Sequence, residues 1–368
     1  MKTTAAVVEA QGAPFELVEV TLDDPQLDEM IVRIVAVGLC HTDLSVQRGS
    51  TPFPLPAVLG HEGVGVVEAV GSQVGNFTPG DCVLISFNSC GACAGCGAGR
   101  PVYCDHWTEL NLLGGSRLDG SAPITHGAGA MHGHFFGQSS FAHHALVQAR
   151  SAIKAPDDID LDVLAPLGCS VQTGVGAVLN VAQPAAGSTL VVMGAGGVGL
   201  AAVMGAQLTA VSRVVAVDVN PARLELAREL GAADIVNATE VDVSKAVREL
   251  TGGVGADYVI ETSGRVTALE DSIASLASAS TCVVVGAPPL GSTISVDVPD
   301  LLVRGIRLLG TNQGDSNPQL FLPQLIELHR EGRLPFDRLI QRFPFEEIND
   351  AAAQARDGSV IKPVLVMP

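Results

Sequence analysis

Short apolar runs separated by turn residues make up the chain from Ala5 to about Ile85. The runs are rich in Val, Ile and Ala, which fit the pleated surface of a sheet, and Pro79-Gly80-Asp81 marks a turn between two of them. This pattern predicts an all-β, barrel-like module with Gly-rich bends at its strand ends. The predicted strands include Ala5–Val8, Met30–Val37, Gly63–Val70 and Cys82–Ile85.

Beyond about Ser170 the pattern changes to buried apolar strands that alternate with helical segments. One helix has a readable start and end, because Asn220 is typical of an N-cap, Pro221 of the first helical position, and Gly231 of the residue after a helix. Strands that alternate with helices predict a doubly wound parallel sheet of the Rossmann type. The predicted strands are Thr189–Met193, Arg213–Val217, Asp257–Ile260, Thr281–Val285 and Ile306–Leu309.

The end of the chain predicts a return to the first module. Leu320–Arg330 and Phe345–Ala355 have the pattern of amphipathic helices, and Lys362–Val366 that of a final strand. The expected fold class is therefore α/β, with a Rossmann sheet domain and a second domain rich in β-structure. The Rossmann domain is expected over residues 171–312, and the β-rich catalytic domain over residues 1–170 and 313–368.

The segment from Asp105 to Phe141 has no sustained periodicity and is rich in Gly, Ser and His. Long segments of this kind are usually kept for function, so we predict a functional loop. Its histidines are expected to be solvated or hydrogen-bonded rather than metal ligands.

The charge balance limits the partners. The formal net charge of −18 over 368 residues, with a pI near 4.7, disfavours nucleic acid and anionic membranes, because both select for excess Lys and Arg. A mean hydropathy of +0.35 and the absence of charged residues over 163–212 raise the alternative of a membrane protein. Gly, Pro, Gln and Asn interrupt that stretch, so no run of about twenty apolar residues forms, and we expect no membrane span. Scattered cysteines without a leader-like segment predict a reducing, cytoplasmic setting.

Four of the eight cysteines, Cys90, Cys93, Cys96 and Cys104, lie within fifteen residues. The intervening glycines allow the tight turns by which four thiolates can converge on one tetrahedral ion. Four sulfurs leave no position for a reactant, so we predict a structural zinc. An iron–sulfur cluster, which uses the same ligands, and a redox-active cysteine pair are the alternatives.

A second candidate metal site combines Cys40, His61 and Cys169, with Glu62 beside the histidine. Two sulfurs and an imidazole can hold a zinc ion with one coordination position left for a reactant. The alternative for Cys40 taken alone is a small buried core residue.

A candidate nucleotide site begins at the glycine loop Gly194-Ala-Gly196-Gly197-Val198-Gly199, which follows a predicted strand and opens a helix. In that context the glycines let the backbone approach a pyrophosphate at the helix N-terminus. Asp218 ends the next strand, where it would accept hydrogen bonds from the adenine ribose and repel a 2′-phosphate. We therefore predict NAD rather than NADP; the alternative is a packing loop without a ligand.

The two candidate sites together indicate a reaction. Zinc has no redox chemistry, so electrons would move as hydride on the nucleotide. Zinc also lowers the pKa of a bound hydroxyl by several units, which favours an alcohol as the reactant. The residues thus predict oxidation of an alcohol to its aldehyde, and the reverse.

Over nearly its full length the chain resembles the zinc-dependent medium-chain alcohol dehydrogenases, and most closely their bacterial aryl (benzyl) alcohol dehydrogenase branch. That resemblance implies a GroES-like catalytic domain, two Zn²⁺ per chain, NAD, and a homodimer or homotetramer. The residues that carry it are Gly38–Asp43, Gly60–Gly65, the four cysteines, Phe136–Phe141, Pro166–Gly174, the glycine loop with Asp218, Val285–Pro289 and Leu334–Ile340.

The resemblance also implies a role for single residues. Cys40, His61 and Cys169 would bind the catalytic zinc, Glu62 would join the metal during ligand exchange, and Asp43 would support His61. The remaining implied roles are proton transfer for Thr42, pyrophosphate contacts for His41 and Lys362, an adenosine-side contact for Arg223, and further cofactor contacts for Thr173 and Val285. The alternatives are ordinary turn residues for Thr42 and Asp43, and a solvated charge for Lys362.

The chain departs from the family at Ser45, three residues after Thr42, where many members end a proton relay with a histidine. Serine is not a base near neutral pH, so we hypothesise that His41 or ordered water completes the relay. The expected substrate is a primary aromatic or allylic alcohol, with Phe87, Trp107 and Phe141 as candidates to line an apolar pocket. Alternatives are an aliphatic alcohol, a polyol, a glutathione adduct of formaldehyde, or a non-catalytic nucleotide-binding protein of the same fold.

Overall fold

In a computed structural model, which describes residues 1–127 and 129–368, the chain divides into two units. The predicted fold class is confirmed, because one unit is rich in β-structure and the other contains a parallel sheet. Residue 128, within the predicted loop 105–141, lies outside the described residues. The first unit comprises Met1–Cys169, Asn317–Ile326 and Asp337–Pro368, and the second Ser170–Ser316 and Glu327–Phe336.

The strands alternate with turns in the first unit and with helices in the second. They are β1 (Lys2–Val8), β2 (Phe15–Leu22), β3 (Glu29–Gly38), β4 (Ala57–Val58), β5 (Gly63–Val70), β6 (Cys82–Ile85), β7 (Ile124–His126), β8 (Gly129–Ala130), β9 (His144–Gln148), β10 (Ala152–Lys154), β11 (Thr189–Met193), β12 (Arg213–Asp218), β13 (Asp234–Asn237), β14 (Ala256–Glu261), β15 (Leu276–Val284), β16 (Arg307–Gly310), β17 (Ile340–Pro344) and β18 (Lys362–Val366).

The α-helices are α1 (His41–Arg48), α2 (Ala94–Gly97), α3 (Leu161–Leu164), α4 (Ser170–Gly176), α5 (Gly197–Gln207), α6 (Pro221–Glu229), α7 (Val243–Leu250), α8 (Val266–Ser275), α9 (Val298–Arg304), α10 (Pro318–Arg330) and α11 (Ile348–Asp357). As the sequence predicts, Asn220 caps α6, its side-chain oxygen accepting from the backbone of the first turn.

Two sheets build the first unit. One has the order β4-β1-β2-β7-β8, and the other the order β10-β6-β5-β3-β18-β17 with β9 also paired to β3. The last strand, β18, runs antiparallel to the end of β3, so that Val364 lies opposite Gly38. This pairing brings the C-terminus next to the residues that lead from β3 into α1, and one apolar core lies beneath both sheets.

The sheet of the second unit is parallel throughout, with the order β13-β12-β11-β14-β15-β16. Counted from its first strand this is the order 3-2-1-4-5-6, in which ligands bind beyond the carboxyl ends of the strands where the order reverses. The reversal lies between β11 and β14. The glycine loop leaves the carboxyl end of β11, and Asp218 ends β12.

Local structure differs from the sequence expectation in two places. The segment expected to lack regular structure, 105–141, contains β7, β8 and helical turns at Glu109–Leu113 and Phe135–Gly137. Residues 313–316 and Glu327–Phe336, expected with the catalytic domain, lie in the second unit. Residues 313–316 are held there by hydrogen bonds between Asn180 and Gly314 and between Ser316 and Gln172.

No single helix of the described residues is long and apolar enough to cross a membrane. Residues 161–168 and 170–182 pass that test of length and composition only when they are joined across a 54° bend.

Candidate active site

Asp43 organises the turn after β3. Cys40 is the N-cap of α1, and Asp43, in the first turn of that helix, accepts a hydrogen bond from the backbone N–H of Cys40 at 2.9 Å through Oδ2. Its Oδ1 atom accepts from the backbone N–H of Gly60 and from Nδ1 of His61, both at 3.0 Å. The carboxylate is fully buried, so one side chain ties the Cys40 segment to the His61 segment.

Cys40, His61, Glu62 and Cys169 are all buried, and one candidate ligand atom from each lies within 4.8 Å of the others. Since Asp43 engages Nδ1 of His61, Nε2 is the nitrogen left for a metal, and it is buried without a hydrogen-bond partner among the described residues. Two sulfurs, one imidazole and a nearby carboxylate are a donor set that zinc accepts. These residues fit a zinc ion.

Burial and the neighbouring groups of this cluster shift the pKa values of His61 and Cys40. Burial lowers the pKa of His61, but the negative charges of Asp43 and Cys40 outweigh it and raise that pKa to about 10. The pKa of the Cys40 thiol lies well below its usual value, chiefly because Cys169 donates a hydrogen bond to it. The metal-free cluster therefore retains protons that a bound cation would displace.

Glu62 and Lys362 form a buried ion pair, with Nζ 2.9 and 2.8 Å from the two carboxylate oxygens. Burial raises the pKa of Glu62, whereas the charge of Glu62 raises the pKa of Lys362 against the effect of burial. Lys362, expected at the cofactor pyrophosphate, is thus paired with Glu62, and the pyrophosphate contact stays a prediction. The pairing of β18 with β3 directs its ammonium group into the core beside Glu62. Gly38 leaves room for this carboxylate, because a Cβ there would lie 2.0 Å from Oε2 of Glu62.

The four-cysteine segment brings its sulfur atoms within 4.8 Å of one another. Backbone N–H groups point at the sulfurs, as they do around thiolates: those of Ala92 and Cys93 at Cys90, and that of Asp105 at Cys93. The contact from Asp105, followed by one from the backbone of Cys96, lowers the pKa of Cys93 to about 6. All eight cysteines are free thiols in the described part of the chain, and this segment also fits zinc.

In the second unit Asp218 fixes the glycine loop. Its Oδ2 atom accepts from the backbone N–H of Ala195 at 2.6 Å, and Oδ1 accepts from those of Val219 and Asn220. A Cβ at Gly199 would lie 1.7 Å from the carbonyl oxygen of Gly194, whereas a Cβ at Gly196, the N-cap of α5, would meet open space. The loop therefore has a free face over the helix N-terminus, where a pyrophosphate would bind.

Of the other predicted cofactor residues, Arg223 and Thr173 lie on helices, and Val285 follows a strand. Arg223 is in the first turn of α6, and its Nε is buried without a partner among the described residues. The hydroxyl of Thr173 donates to Gln313 at 3.3 Å. The backbone N–H of Val285, just after β15, donates to the carbonyl of Glu261 at 2.8 Å.

Around α1, the hydroxyl oxygen of Thr42 lies 3.9 Å from the sulfur of Cys40. His41 is exposed, with Nε2 3.4 Å from the guanidinium group of Arg48, and Ser45 is half-buried. Of the candidates for a pocket wall, Phe87 and Phe141 are members of the core. Trp107 is partly buried and packs its ring edge-on against Phe136.

Sequence reasoning gave no individual role to Phe136 or Gln138. Phe136 stacks on the imidazole of His61, and Gln138 donates a hydrogen bond to the carbonyl oxygen of His61 at 2.9 Å. The only signal was their position in a motif that carries the family resemblance, because neither residue type suggests zinc chemistry.

Comparison with known proteins agrees with this geometry. Residues 26–157 match the family model "Alcohol dehydrogenase GroES-like domain", and residues 197–329 match "Zinc-binding dehydrogenase". A geraniol dehydrogenase from Castellaniella defragrans is 42% identical over 98% of this chain and 97% of its own. The chain belongs to the zinc-dependent alcohol dehydrogenase family.

Solved structures of zinc-dependent alcohol dehydrogenases resemble this chain throughout. The benzyl alcohol dehydrogenase of Acinetobacter calcoaceticus is 39% identical, with a TM-score of 0.96 and full coverage of both chains. An alcohol dehydrogenase zinc-binding domain protein from Burkholderia ambifaria is 48% identical, with a TM-score of 0.96 over 100% of this chain and 99% of that one. The chain is thus an alcohol dehydrogenase of the zinc-dependent type, which acts on small-molecule alcohols and aldehydes.

Proposed function

We propose that this enzyme oxidises a primary aromatic or allylic alcohol to its aldehyde, and catalyses the reverse reaction, with NAD. The observation that carries the proposal is the buried set of Cys40, His61 and Cys169, in which Nε2 of His61 lacks a partner among the described residues. Relatives named for geraniol, an allylic alcohol, and for benzyl alcohol support the substrate class.

When bound, zinc would act as a Lewis acid on the alcohol oxygen and NAD would accept the hydride. Cys40, His61 and Cys169 would hold the metal, with Glu62 close by. Asp43 keeps the proton on Nδ1 of His61, so that Nε2 stays available as a ligand. The hydroxyl of Thr42, close to the sulfur of Cys40, is placed to take the proton from the substrate.

We propose NAD rather than NADP because Asp218 ends β12, where a carboxylate favours ribose hydroxyls and repels a 2′-phosphate. We also propose a second, structural zinc in the four-cysteine segment. Metal analysis of the purified enzyme should give two zinc ions per chain. A content of one or none would contradict the two-site proposal.

Steady-state rates with benzyl alcohol, geraniol, hexanol and ethanol, each with NAD and then NADP, test the substrate and cofactor. We expect the highest kcat/KM for benzyl alcohol or geraniol with NAD. A preference for ethanol, hexanol or an added polyol would contradict the aromatic or allylic assignment, and equal rates with NADP would contradict the role of Asp218.

We propose that His41 takes the place of the missing relay histidine. Its ring lies in the same helix as Thr42 and Ser45 and is exposed to solvent. His41→Gln should lower kcat and shift its pH profile, whereas Arg33→Gln, a change at an exposed cation paired with Glu68, should leave the profile in place. An unchanged profile in His41→Gln would assign proton transfer to water.

We further propose a cytoplasmic homo-oligomer. The edge strand β16 is exposed along its whole length, and its backbone has pairing groups free on one side. The preceding helix, α9, exposes Val298, Leu302 and Val303 on the same unit. A second copy of the chain would cover both features.

A further inference from the structure

The segment His134–Ser139, here called the aromatic turn, follows an unusual backbone path. His134, Phe136 and Ser139 have φ values of 61°, 50° and 50°, and Gly137 has a φ of 68°. Residues other than glycine rarely adopt this left-handed conformation, and those that do are held by their surroundings. A turn with three such residues therefore needs specific anchors.

Gln138 and Ser139 supply those anchors. The amide of Gln138 donates to the carbonyl oxygen of His61 at 2.9 Å and accepts from the backbone N–H of Gly63 at 3.0 Å. The hydroxyl of Ser139 donates to the carbonyl oxygen of Val58 at 2.6 Å. The aromatic turn is thus fastened to the backbone on both sides of His61, and each of these groups is buried.

The aromatic turn places the ring of Phe136 against the imidazole of His61. Phe136 stacks on His61 with ring centroids 4.4 Å apart and an angle of 21° between the planes. Phe135 meets the same imidazole edge-on at 5.3 Å, and Trp107 meets Phe136 edge-on at 5.8 Å. Trp107 therefore packs against Phe136, whose ring face lies on the imidazole of His61.

The hydrogen bond from Nδ1 to Asp43 does not by itself fix the plane of the imidazole. One N–H···O contact, at 3.0 Å, holds Nδ1, but small combined changes of the side-chain torsions χ1 and χ2 can still tilt the ring and move Nε2. A flat ring stacked on the imidazole limits this tilt, because tilting would separate the two faces. The hydrogen bond to Asp43 and the stack on Phe136 together hold Nε2 of His61 in one direction.

We propose that Phe136 is a positioning residue for His61, and that the strained aromatic turn persists because it holds Phe136 there. The inference rests on the proposed catalytic zinc at Cys40, His61 and Cys169. Partners that orient a ligand from outside the metal's own shell typically change metal affinity by about 10–100-fold. Phe136 is expected to act in the same range, without touching the metal.

Phe136→Leu tests this by removing the flat face while keeping an apolar side chain. Zinc release to a chromogenic chelator should be about tenfold faster or more from the catalytic site, with release from the four-cysteine site unchanged. The visible spectrum of the cobalt-substituted enzyme should change, because it reports ligand geometry. Phe136→Tyr, which retains the ring face, should behave as the wild type on both measurements.

Phe15→Leu is the matched control. Phe15 belongs to the same core and packs edge-on against Phe141. If Phe136→Leu kept the wild-type release rate and cobalt spectrum, or if Phe15→Leu altered them equally, the proposal would be overturned. Phe136→Met provides the same comparison should the leucine variant not fold.

A wild-type enzyme without a zinc that exchanges separately from the four-cysteine site would instead refute the proposed function. Failure of the positioning role alone would leave that zinc present and the variant indistinguishable from wild type.

Discussion

The interpretation of Lys362 changes once the residues around its side chain are known. Its side chain is 3% exposed and that of Glu62 is 0% exposed. Burying either charge alone would be costly, and their contact offsets that cost only while both are present. The charge of Lys362 opposes the rise that burial causes in the pKa of Glu62, next to the candidate metal ligands.

Lys362→Met should therefore destabilise the enzyme strongly, since it leaves the Glu62 carboxylate buried and unpaired. We expect a loss of about 3–5 kcal/mol in the free energy of unfolding, measured by urea denaturation at pH 7. The matched control is Lys154→Met, which breaks an ion pair with Asp81 whose side chains are 58% and 23% exposed, and which should cost less than about 1 kcal/mol. Similar losses in both variants would mean that Glu62 accepts solvent or a proton instead.

Arg117 is a second buried cation that pairs with carboxylates, and it lies outside the candidate active site. Its guanidinium donates to both carboxylate oxygens of Glu29, at 2.8 and 3.0 Å, and to Asp23 at 2.8 Å. Burial raises the pKa of Glu29, but the nearby imidazole of His134, 3.8 Å away, and the hydrogen bonds from Arg117 outweigh it, so that this pKa is lowered.

A lowered folded-state pKa means that the Glu29 contribution to stability is present above its unfolded pKa, near 4.3, and is lost as the pH falls further. Arg117→Met should thus cost about 3–5 kcal/mol at pH 7, and the difference from wild type should shrink below about pH 4. Urea denaturation at pH 7 and pH 3.5 measures both values. Arg33→Met, at the exposed pair with Glu68, is the control, and a pH-independent difference would contradict the assignment.

Within the glycine loop, one glycine is required for packing and another is proposed to be required for binding. Gly199 is required by the fold, since its Cβ position is occupied by the carbonyl group of Gly194. Gly196 has no such neighbour and has φ −79° and ψ −172°, which alanine accepts. We propose that Gly196 leaves room for a ligand.

Gly196→Ala should therefore leave the free energy of unfolding within about 0.5 kcal/mol of wild type while weakening NAD binding at least about tenfold, because a methyl group occupies the approach to the helix N-terminus. Gly199→Ala should lose both stability and binding. Fluorescence titration with NADH and urea denaturation distinguish the two. Gly75→Ala, at an equally open position, is the control, and undiminished NADH affinity in Gly196→Ala would argue against the pyrophosphate site.

The aromatic turn is the element whose local cost is highest. Left-handed conformations at three non-glycine residues cost about 1–3 kcal/mol each. That cost is offset by the buried hydrogen bonds of Gln138 and Ser139, which a periodicity pattern cannot reveal. A segment without regular pattern thus became one of the most tightly determined parts of the first unit.

We expect the proposed oligomer to form through α9 and the edge strand β16 of the second unit. Leu302 and Val303 in α9 are 78% and 81% exposed, next in sequence to the exposed edge strand β16. Val303→Asp should convert the wild-type oligomer to smaller species in sedimentation-velocity experiments, whereas Val254→Asp, at a residue 65% exposed elsewhere on the same unit, should not. A monomeric wild type, or equal dissociation by both changes, would contradict this interface.

The sequence by itself determined the fold class, because strand length, caps and glycine spacing are local properties. It also determined the donor chemistry, because sulfur and imidazole at these spacings suit zinc. The tertiary structure alone decided that Lys362 meets Glu62 and that Phe136 lies on the imidazole, whereas the support of His61 by Asp43 was already implied by the family resemblance. The first two contacts join residues that are brought together by strand pairing or by a strained turn, and pairing register and turn geometry are set by the folded core rather than by local sequence.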